Sequence, residues 1–169
     1  MALRFIGATF VIIACAAIGF KQATDLRREI KTLADMVDVL NFMERELSYR
    51  LTPLPKLCRL SSEQGKSFKT LLICLAEELE SQISTDVASC MNAAICRNTG
   101  FADSIVTCLQ ELGSSFGKFD LEGQLNGIDS VRQKCINRLD ELEKDKDIRI
   151  RNYQTLGLCA GAALAIVLF

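Results

Sequence analysis

The chain has 169 residues, of which 49% are hydrophobic and 24% charged, and its formal net charge is −1. A chain without a basic excess gives no indication of a nucleic-acid partner. Because it has no histidine, Ser-His and Cys-His nucleophile pairs and His-ligated metal sites are excluded, and we predict no catalytic residue, cofactor site or metal site.

Two uncharged, mostly apolar runs occupy the ends of the chain, at 5–20 and 153–169. At about 1.5 Å per residue they are roughly 24 to 26 Å long, slightly short of a hydrocarbon core of about 30 Å, and flanking basic side chains can cover the difference. We therefore predict a soluble domain that is tethered to a lipid bilayer at both ends. The three segments are an N-terminal transmembrane span (1–21), a cytoplasmic helical bundle (22–152) and a C-terminal transmembrane span (153–169).

The first apolar run has two alternative interpretations. One is a cleavable signal peptide with Arg4 as its n-region and 5–13 as its h-region, in which Ile12-Ile13-Ala14-Cys15 resembles a lipoprotein processing box that would make Cys15 the lipidated N-terminus. The run continues without a break to Phe20, which favours an uncleaved span. A buried core helix is the other alternative, because 16 or 17 residues are near the lower limit for spanning a bilayer.

Basic residues and cysteines both indicate which side of the bilayer the domain faces. Every Lys and Arg except Arg4 lies between the two runs, so the domain carries 19 basic residues (20 − 1) and 21 acidic ones. Lysines and arginines adjoin both predicted spans, so the domain is expected to face the cytoplasm. Six of the eight cysteines lie in the domain without a CxxC pair, and we expect buried free thiols in a reducing compartment. They are residues 58, 74, 90, 96, 108 and 135.

Apolar residues at spacings of three and four predict helices almost throughout the domain. In the first helix this stripe comprises Leu26, Ile30, Leu33, Val37, Leu40 and Leu47. The predicted helices are 22–50, a short one from Pro53 to Gly65, about 67–83, one between Asp86 and Gly100, 102–116, and one from near Asp120 into the C-terminal run. The expected fold is an all-α antiparallel bundle of about six helices, whose first and last helices continue into the terminal spans.

Several residues are predicted to shape the ends of these helices. Thr52 is expected to cap the second helix with Pro53 in its first turn, and Gly65 to end that helix as its C′ residue. Asp86 and Asp120 are expected to cap the fourth and last helices.

Four further residues are unusual for a generic bundle. Glu44 occupies a position on the apolar stripe of the first helix, so it needs a partner or faces a wet surface. Tyr49 is expected to pack across the elbow that follows the first helix. Gly113 is expected to admit a neighbouring helix closely, and Gly117 to supply a positive φ.

Taken in order, these residues carry a resemblance to a known family. The motifs are Glu44-x-Glu46-Leu47-x-Tyr49-x-x-Thr52-Pro53-Leu54, then Leu109-x-x-Leu112-Gly113-x-x-Phe116-Gly117-x-x-Asp120, then a charged helix with an apolar tail. In this order and spacing the whole chain resembles the stage III sporulation protein AB family of endospore-forming Firmicutes.

The resemblance implies a non-enzymatic membrane platform or scaffold component of the channel complex between mother cell and forespore. The family is similar to the cytoplasmic domains of type II secretion and type IV pilus inner-membrane platform proteins. It therefore implies contact with other stage III sporulation channel proteins, including the secretion-type ATPase stage III sporulation protein AA. The implied location is the outer forespore membrane, with the bundle in the mother-cell cytoplasm.

Eight residues match the motif positions of the family. Those expected at a partner interface are Glu44, Glu46 and Tyr49, and those expected to shape structural corners are Thr52, Pro53, Gly113, Gly117 and Asp120. A generic membrane-tethered adaptor that forms a homo-oligomer through the apolar stripe of the first helix is an alternative. A membrane-tethered enzyme would have to work without histidine, a metal cluster or a phosphate loop.

Overall fold

All regular secondary structure in the described part of the chain is α-helical. The computed structural model describes residues 2–81, 86–116 and 120–144, together with 146, 148, 150–152, 155, 156, 159 and 163. The helices are α1 (Ala2–Arg50), α2 (Leu54–Ser61), α3 (Lys69–Ser81), α4 (Val87–Arg97), α5 (Asp103–Ser115) and α6 (Leu121–Lys144). The predicted all-α fold class is confirmed.

The chain divides into two compact units, of which the first comprises Met1–Ile30 and Asp140–Phe169. Its buried side chains include Leu26, Ile30 and Leu142. No helix of the described residues is long and apolar enough to traverse a bilayer. Most side chains of the predicted span at 1–21, and most of the predicted span at 153–169, lie outside the described residues. Both spans stay predictions.

The second unit, Lys31–Leu139, holds the main hydrophobic core. Within it, α2 packs on α3, α3 on α4, and α4 on α5. The largest fully buried side chains are Phe68, Phe116, Leu33, Met36, Leu40, Met43, Leu57, Leu71, Leu75, Met91, Ile105 and Leu112. Along α1 and α3 these positions repeat every three or four residues, so one face of each of these two helices contributes to the core.

The apolar stripe of α1 differs from the prediction at one position. Leu33, Leu40 and Leu47 are buried as expected, whereas Val37 is only half-buried. Met36 takes the inner position in its place. Neighbouring residues of a helix are rotated by about 100°, so with Met36 facing the core Val37 lies at the edge of the buried face.

The prediction that Thr52 caps α2, with Pro53 in the first turn, is wrong. Pro53 is the N-cap residue, no side chain caps the helix, and Pro55 lies in the first turn instead. Because α2 begins at Leu54, Thr52 lies one residue too early to reach the free N–H groups of the first turn. Its hydroxyl donates to the Glu46 carboxylate, with 3.2 Å between Thr52 Oγ1 and Glu46 Oε2.

Gly65 does not end α2 as a C′ residue. The helix stops at Ser61, and the right-handed turn that follows brings the Gly65 amide to within 3.3 Å of the Ser61 carbonyl oxygen. The glycine is required by close packing on α1, because a Cβ at this position would lie 2.3 Å from Val39 Cγ2. Its role is therefore a tertiary contact between the α2–α3 turn and α1.

Both predicted aspartate caps are confirmed. The Asp86 carboxylate accepts a hydrogen bond from the Ala88 amide at 3.3 Å, and the Asp120 carboxylate accepts one from the Gly123 amide at 3.0 Å. Helix α4 ends before Gly100, which has a φ of 108°.

The third helix begins later than predicted. It begins at Lys69, because the hydroxyl and the amide of Ser67 both donate to the Asp35 carboxylate on α1. It ends at Ser81, and the predicted end at Ile83 lies outside the described residues.

The cysteines of the domain are free thiols, and four of the six are buried as predicted: Cys58, Cys74, Cys90 and Cys135. Cys108 is half-buried, and for Cys96 the expectation of burial is wrong because it is exposed. Cys96 lies two residues from the buried Ala94 on α4, and residues two apart lie on different faces of a helix.

Candidate functional site at the α1–α2 elbow

The chain turns sharply between α1 and α2, and the turn leaves two large side chains in solvent. Among the described residues other than glycine, Leu51 is the one with a positive φ, at 49°. An aliphatic side chain rarely adopts this left-handed conformation, and holding it there costs about 1 kcal/mol or more. Leu51 is 65% exposed and Tyr49 is 86% exposed.

Tyr49 therefore does not pack across the elbow, and that expectation is wrong. The inner face of α1 at this end is formed by Leu47, which is buried. Two residues along a helix correspond to a rotation of about 200°, so the residue after next points away from the core. The Tyr49 ring is free to contact another molecule.

An open groove of about 500 Å³ lies beside this elbow, within the second unit. Five separate chain segments line it, namely the end of α1, the α1–α2 connection with the start of α2, α3, α4, and the start of α6, and most of their lining side chains are apolar. They are Leu47, Leu51, Thr52, Pro53, Leu54, Pro55, Leu79, Val87, Asp120, Leu121 and Gln124. A mostly apolar concavity of this size with a few polar groups is the usual form of a binding site.

Glu46 does not line the groove but stabilises it through a hydrogen bond with the lining residue Thr52. Its side chain is only 11% exposed, and its carboxylate accepts the hydrogen bond of Thr52 and pairs with Arg50 at 3.2 Å. The hydroxyl of Thr52 and the guanidinium of Arg50 together compensate this largely buried charge. Glu46 therefore fixes the position of the elbow relative to the last turn of α1.

Asp120 brings the start of α6 to the same groove. Its carboxylate caps the helix through the Gly123 amide, and the next residue, Leu121, is 39% exposed. Of the eight residues singled out in the sequence, Thr52, Pro53 and Asp120 thus line one cavity, with Glu46 hydrogen-bonded to its wall. Residues nearly seventy positions apart in the chain meet here.

Glu44 lies in a different cluster, between α1 and α6. Its carboxylate pairs with the Arg132 guanidinium, which also donates to the Asn41 amide oxygen at 3.1 Å and pairs with Asp129. Arg132 is 20% exposed and Glu44 is 35% exposed, so the ion pair is partly shielded from solvent and screened less than a surface pair. The sequence predicts that Glu44 needs a partner or faces a wet surface. Within the fold this partner is Arg132. The role of Glu44 at an intermolecular interface stays a prediction.

Gly113 packs α5 on α4, as predicted. A Cβ at this position would lie 2.7 Å from Met91 Cβ and 2.9 Å from Met91 Cγ. Gly117 lies outside the described residues, and its predicted positive φ stays a prediction.

The chemistry of the groove is that of a contact surface. Its polar lining groups are a hydroxyl already donated to a carboxylate, an aspartate engaged as a helix cap, and an amide side chain. In the described ranges 2–81, 86–116 and 120–144, no group of three or more His, Cys, Asp or Glu side chains could hold a metal ion. The groove therefore offers a mostly apolar contact surface.

Sequence reasoning missed three features of the site. Arg132 had a signal, because it lies on α6 next to the buried Val131 and within reach of an acidic residue on an apolar stripe. Leu51 in a connection and Leu121 at the start of α6 had none, since an isolated leucine at such a position is equally compatible with the core.

Comparison with known proteins gives one match. The family model of stage III sporulation protein AB matches residues 4–169, which include every residue of the groove. No curated protein and no solved structure matches the chain significantly. The chain therefore belongs to the stage III sporulation protein AB family.

Proposed function

We propose that this chain is a non-enzymatic platform component of the channel complex between mother cell and forespore, and that its elbow groove binds the secretion-type ATPase stage III sporulation protein AA. Membership of the stage III sporulation protein AB family gives the chain a role in sporulation. The observation that carries the finer proposal is the open apolar groove with Leu51 on its lining and Tyr49 exposed two residues away.

The exposed side chains support a protein partner rather than a small molecule. An 86% exposed tyrosine adds little to the stability of the fold, whereas tyrosine is among the residues that contribute most to protein interfaces. Leu51 has both a strained left-handed backbone conformation and an apolar side chain that is exposed to solvent. Such a combination is typical of positions selected for contact rather than for folding.

The anchoring part of the proposal rests on the apolar runs at 5–20 and 153–169. Two spans would hold the helical domain against the outer forespore membrane on the mother-cell side. A domain held in this way is suited to transmit the motion of a bound ATPase to the membrane, as platform proteins of secretion systems do. The support for this step is the resemblance of the family to those proteins.

The binding step is tested with the purified full chain in a mild detergent and the purified ATPase, by measuring Kd in biolayer interferometry. Tyr49→Ala removes the exposed ring, and Leu51→Asn removes the apolar side chain while keeping a residue that tolerates a positive φ. Each is expected to weaken binding by about tenfold or more, which corresponds to about 1.4 kcal/mol. Neither should lower the midpoint of thermal unfolding.

The matched control is Gln133→Ala, a truncation at an exposed position of α6 that does not line the groove. It should bind like the unmodified chain. Equal affinity of all variants would show that the groove is not the binding surface, and no binding by the unmodified chain would remove the ATPase as its partner. Self-association that Tyr49→Ala abolishes would identify a second copy of the chain as the occupant.

The cellular role is tested by deleting the gene in the source organism and counting heat-resistant spores. The expected arrest follows engulfment, with rescue by the full chain and no rescue by residues 22–152 alone. A Tyr49→Ala allele should reproduce the defect, and a Gln133→Ala allele should not. Normal spore counts after deletion would contradict the channel proposal.

A further inference from the structure

Helices α5 and α6 run antiparallel and in close contact at three levels. At the first level a Cβ on Gly127 would lie 2.4 Å from Ser115 Cβ. At the second level the Lys134 ammonium contacts both carboxylate oxygens of Glu111 at 2.7 Å. Residue numbers fall along α5 as they rise along α6, so about two helical turns from the Ser115–Gly127 contact, residue 108 on α5 lies at the level of residue 135 on α6.

Both residues at this third level are cysteines. Cys108 on α5 is half-buried, Cys135 on α6 is buried, and both are free thiols. The pair is therefore one thiol that solvent can reach and one directly behind it.

We propose that Cys108 and Cys135 are a redox-active pair that forms a reversible disulfide by exchange with a low-molecular-weight disulfide. In the first step the Cys108 thiolate attacks one sulphur of that molecule, a mixed disulfide forms, and one low-molecular-weight thiolate leaves. In the second step Cys135 attacks the Cys108 sulphur and releases its proton. The second low-molecular-weight thiolate is displaced, takes up this proton and leaves as a thiol. The two cysteines are oxidised and the small disulfide is reduced to two thiols. This site is separate from the proposed ATPase groove.

The environment assigns the two roles. The hydrogen bond from Cys135 lowers the pKa of Cys108 to about 7, although partial burial and Glu111 act against it and Lys134 assists. The same hydrogen bond and burial raise the pKa of Cys135. Since the thiolate is the nucleophile, Cys108 attacks first. Once it carries a mixed disulfide, its negative charge no longer opposes ionisation of Cys135.

The geometry suits a bond that can form and break without unfolding. A disulfide needs its two Cα atoms within about 7 Å, and the contacts of Gly127 with Ser115 and of Lys134 with Glu111 hold α5 and α6 close to each other within about two turns of both cysteines. In a reducing compartment, disulfides are mostly transient and redox-sensing. The predicted cytoplasmic face of the domain therefore fits a reversible link between α5 and α6.

The test incubates the reduced full chain with oxidised glutathione, followed by trypsin digestion and mass spectrometry. Tryptic peptides 98–118 and 135–138 contain one cysteine each. The expected product is a cross-link between them that reductant removes, while the exposed Cys96 carries only glutathione. A stable glutathione adduct on Cys108 in the unmodified chain, or no reaction of either cysteine before denaturation, would overturn the proposal.

The variant Cys135→Ala gives a second readout that does not depend on forming the bond. Without the hydrogen bond the pKa of Cys108 returns toward its ordinary value of about 8.5. The thiolate fraction at pH 7 then falls from about one half to a few per cent, so alkylation of Cys108 by iodoacetamide should slow about tenfold or more. The alkylation rate of Cys96 is the internal control. An unchanged Cys108 rate would show that the two thiols do not interact.

Discussion

Replacement of Gly113 by alanine should destabilise the protein although alanine favours helices. In the interior of an exposed helix this change stabilises by about 1 kcal/mol. At Gly113 the added Cβ would lie 2.7 Å from Met91 Cβ, and ordinary contact begins at 3.4 Å. Met91 Cβ is fixed to the α4 backbone, so α4 and α5 must separate by at least 0.7 Å (3.4 − 2.7).

Overpacking of this kind costs about 1 to 3 kcal/mol. After the gain in helix propensity is subtracted, we expect Gly113→Ala to lower the free energy of unfolding by about 1 kcal/mol. For a chain of this size that corresponds to a decrease of about 3 °C in Tm. Thermal unfolding of the full chain, followed by far-UV circular dichroism, measures the change.

The control is Ser114→Ala, one residue further along the same helix at an exposed position. It gains helix propensity without a contact to α4, so Tm should stay unchanged or rise slightly. Gly113→Val should be worse than alanine because it adds two methyl groups at the same contact and favours helix less. A Gly113→Ala chain as stable as the unmodified one would refute the close packing of α4 and α5 as the reason for this glycine.

Three further outcomes test other contacts. Arg132→Met removes the cation that pairs with Glu44 and Asp129, so we expect a loss of about 1 to 2 kcal/mol in urea unfolding, and Glu44→Gln should recover part of it because only the more exposed Asp129 carboxylate is then left without its cation. Asp86→Ala removes the cap of α4 and should cost about 1 kcal/mol in the same assay, whereas Asp86→Asn should cost little. The hydrogen bond from Arg59 lowers the pKa of Glu80, so the stability that this pair contributes is present above the ordinary glutamate pKa of about 4.3 and is lost as the pH falls through the lowered pKa of the folded state. A stability difference between Arg59→Gln and the unmodified chain that stays constant as the pH falls from about 7 to about 2 would contradict the pairing.

The helix caps show which helix starts can be predicted from the neighbouring residues alone. Asp86 and Asp120 each bind an amide two or three residues ahead, so the pattern of a polar residue before an apolar periodic run is sufficient to locate the helix start. Thr52 fitted the same pattern and failed. Its hydroxyl reaches Glu46 on the preceding helix because the elbow turns at Leu51, whose positive φ has no sequence signal.

The sequence by itself determined the helical class, the order of the helices and the family, because periodicity and capping depend on residues three or four apart and the motifs keep their order. Only the tertiary structure decided which faces meet. Glu44 pairs with a residue 88 positions away, Gly65 is needed by a side chain on α1 rather than by its own turn, and Tyr49 points outward because the packing of α1 selects the face of Leu47. The groove is likewise a product of packing, since its lining comes from five separate segments. Local rules fix the conformation of each segment, whereas long-range contacts depend on how all apolar faces are buried together.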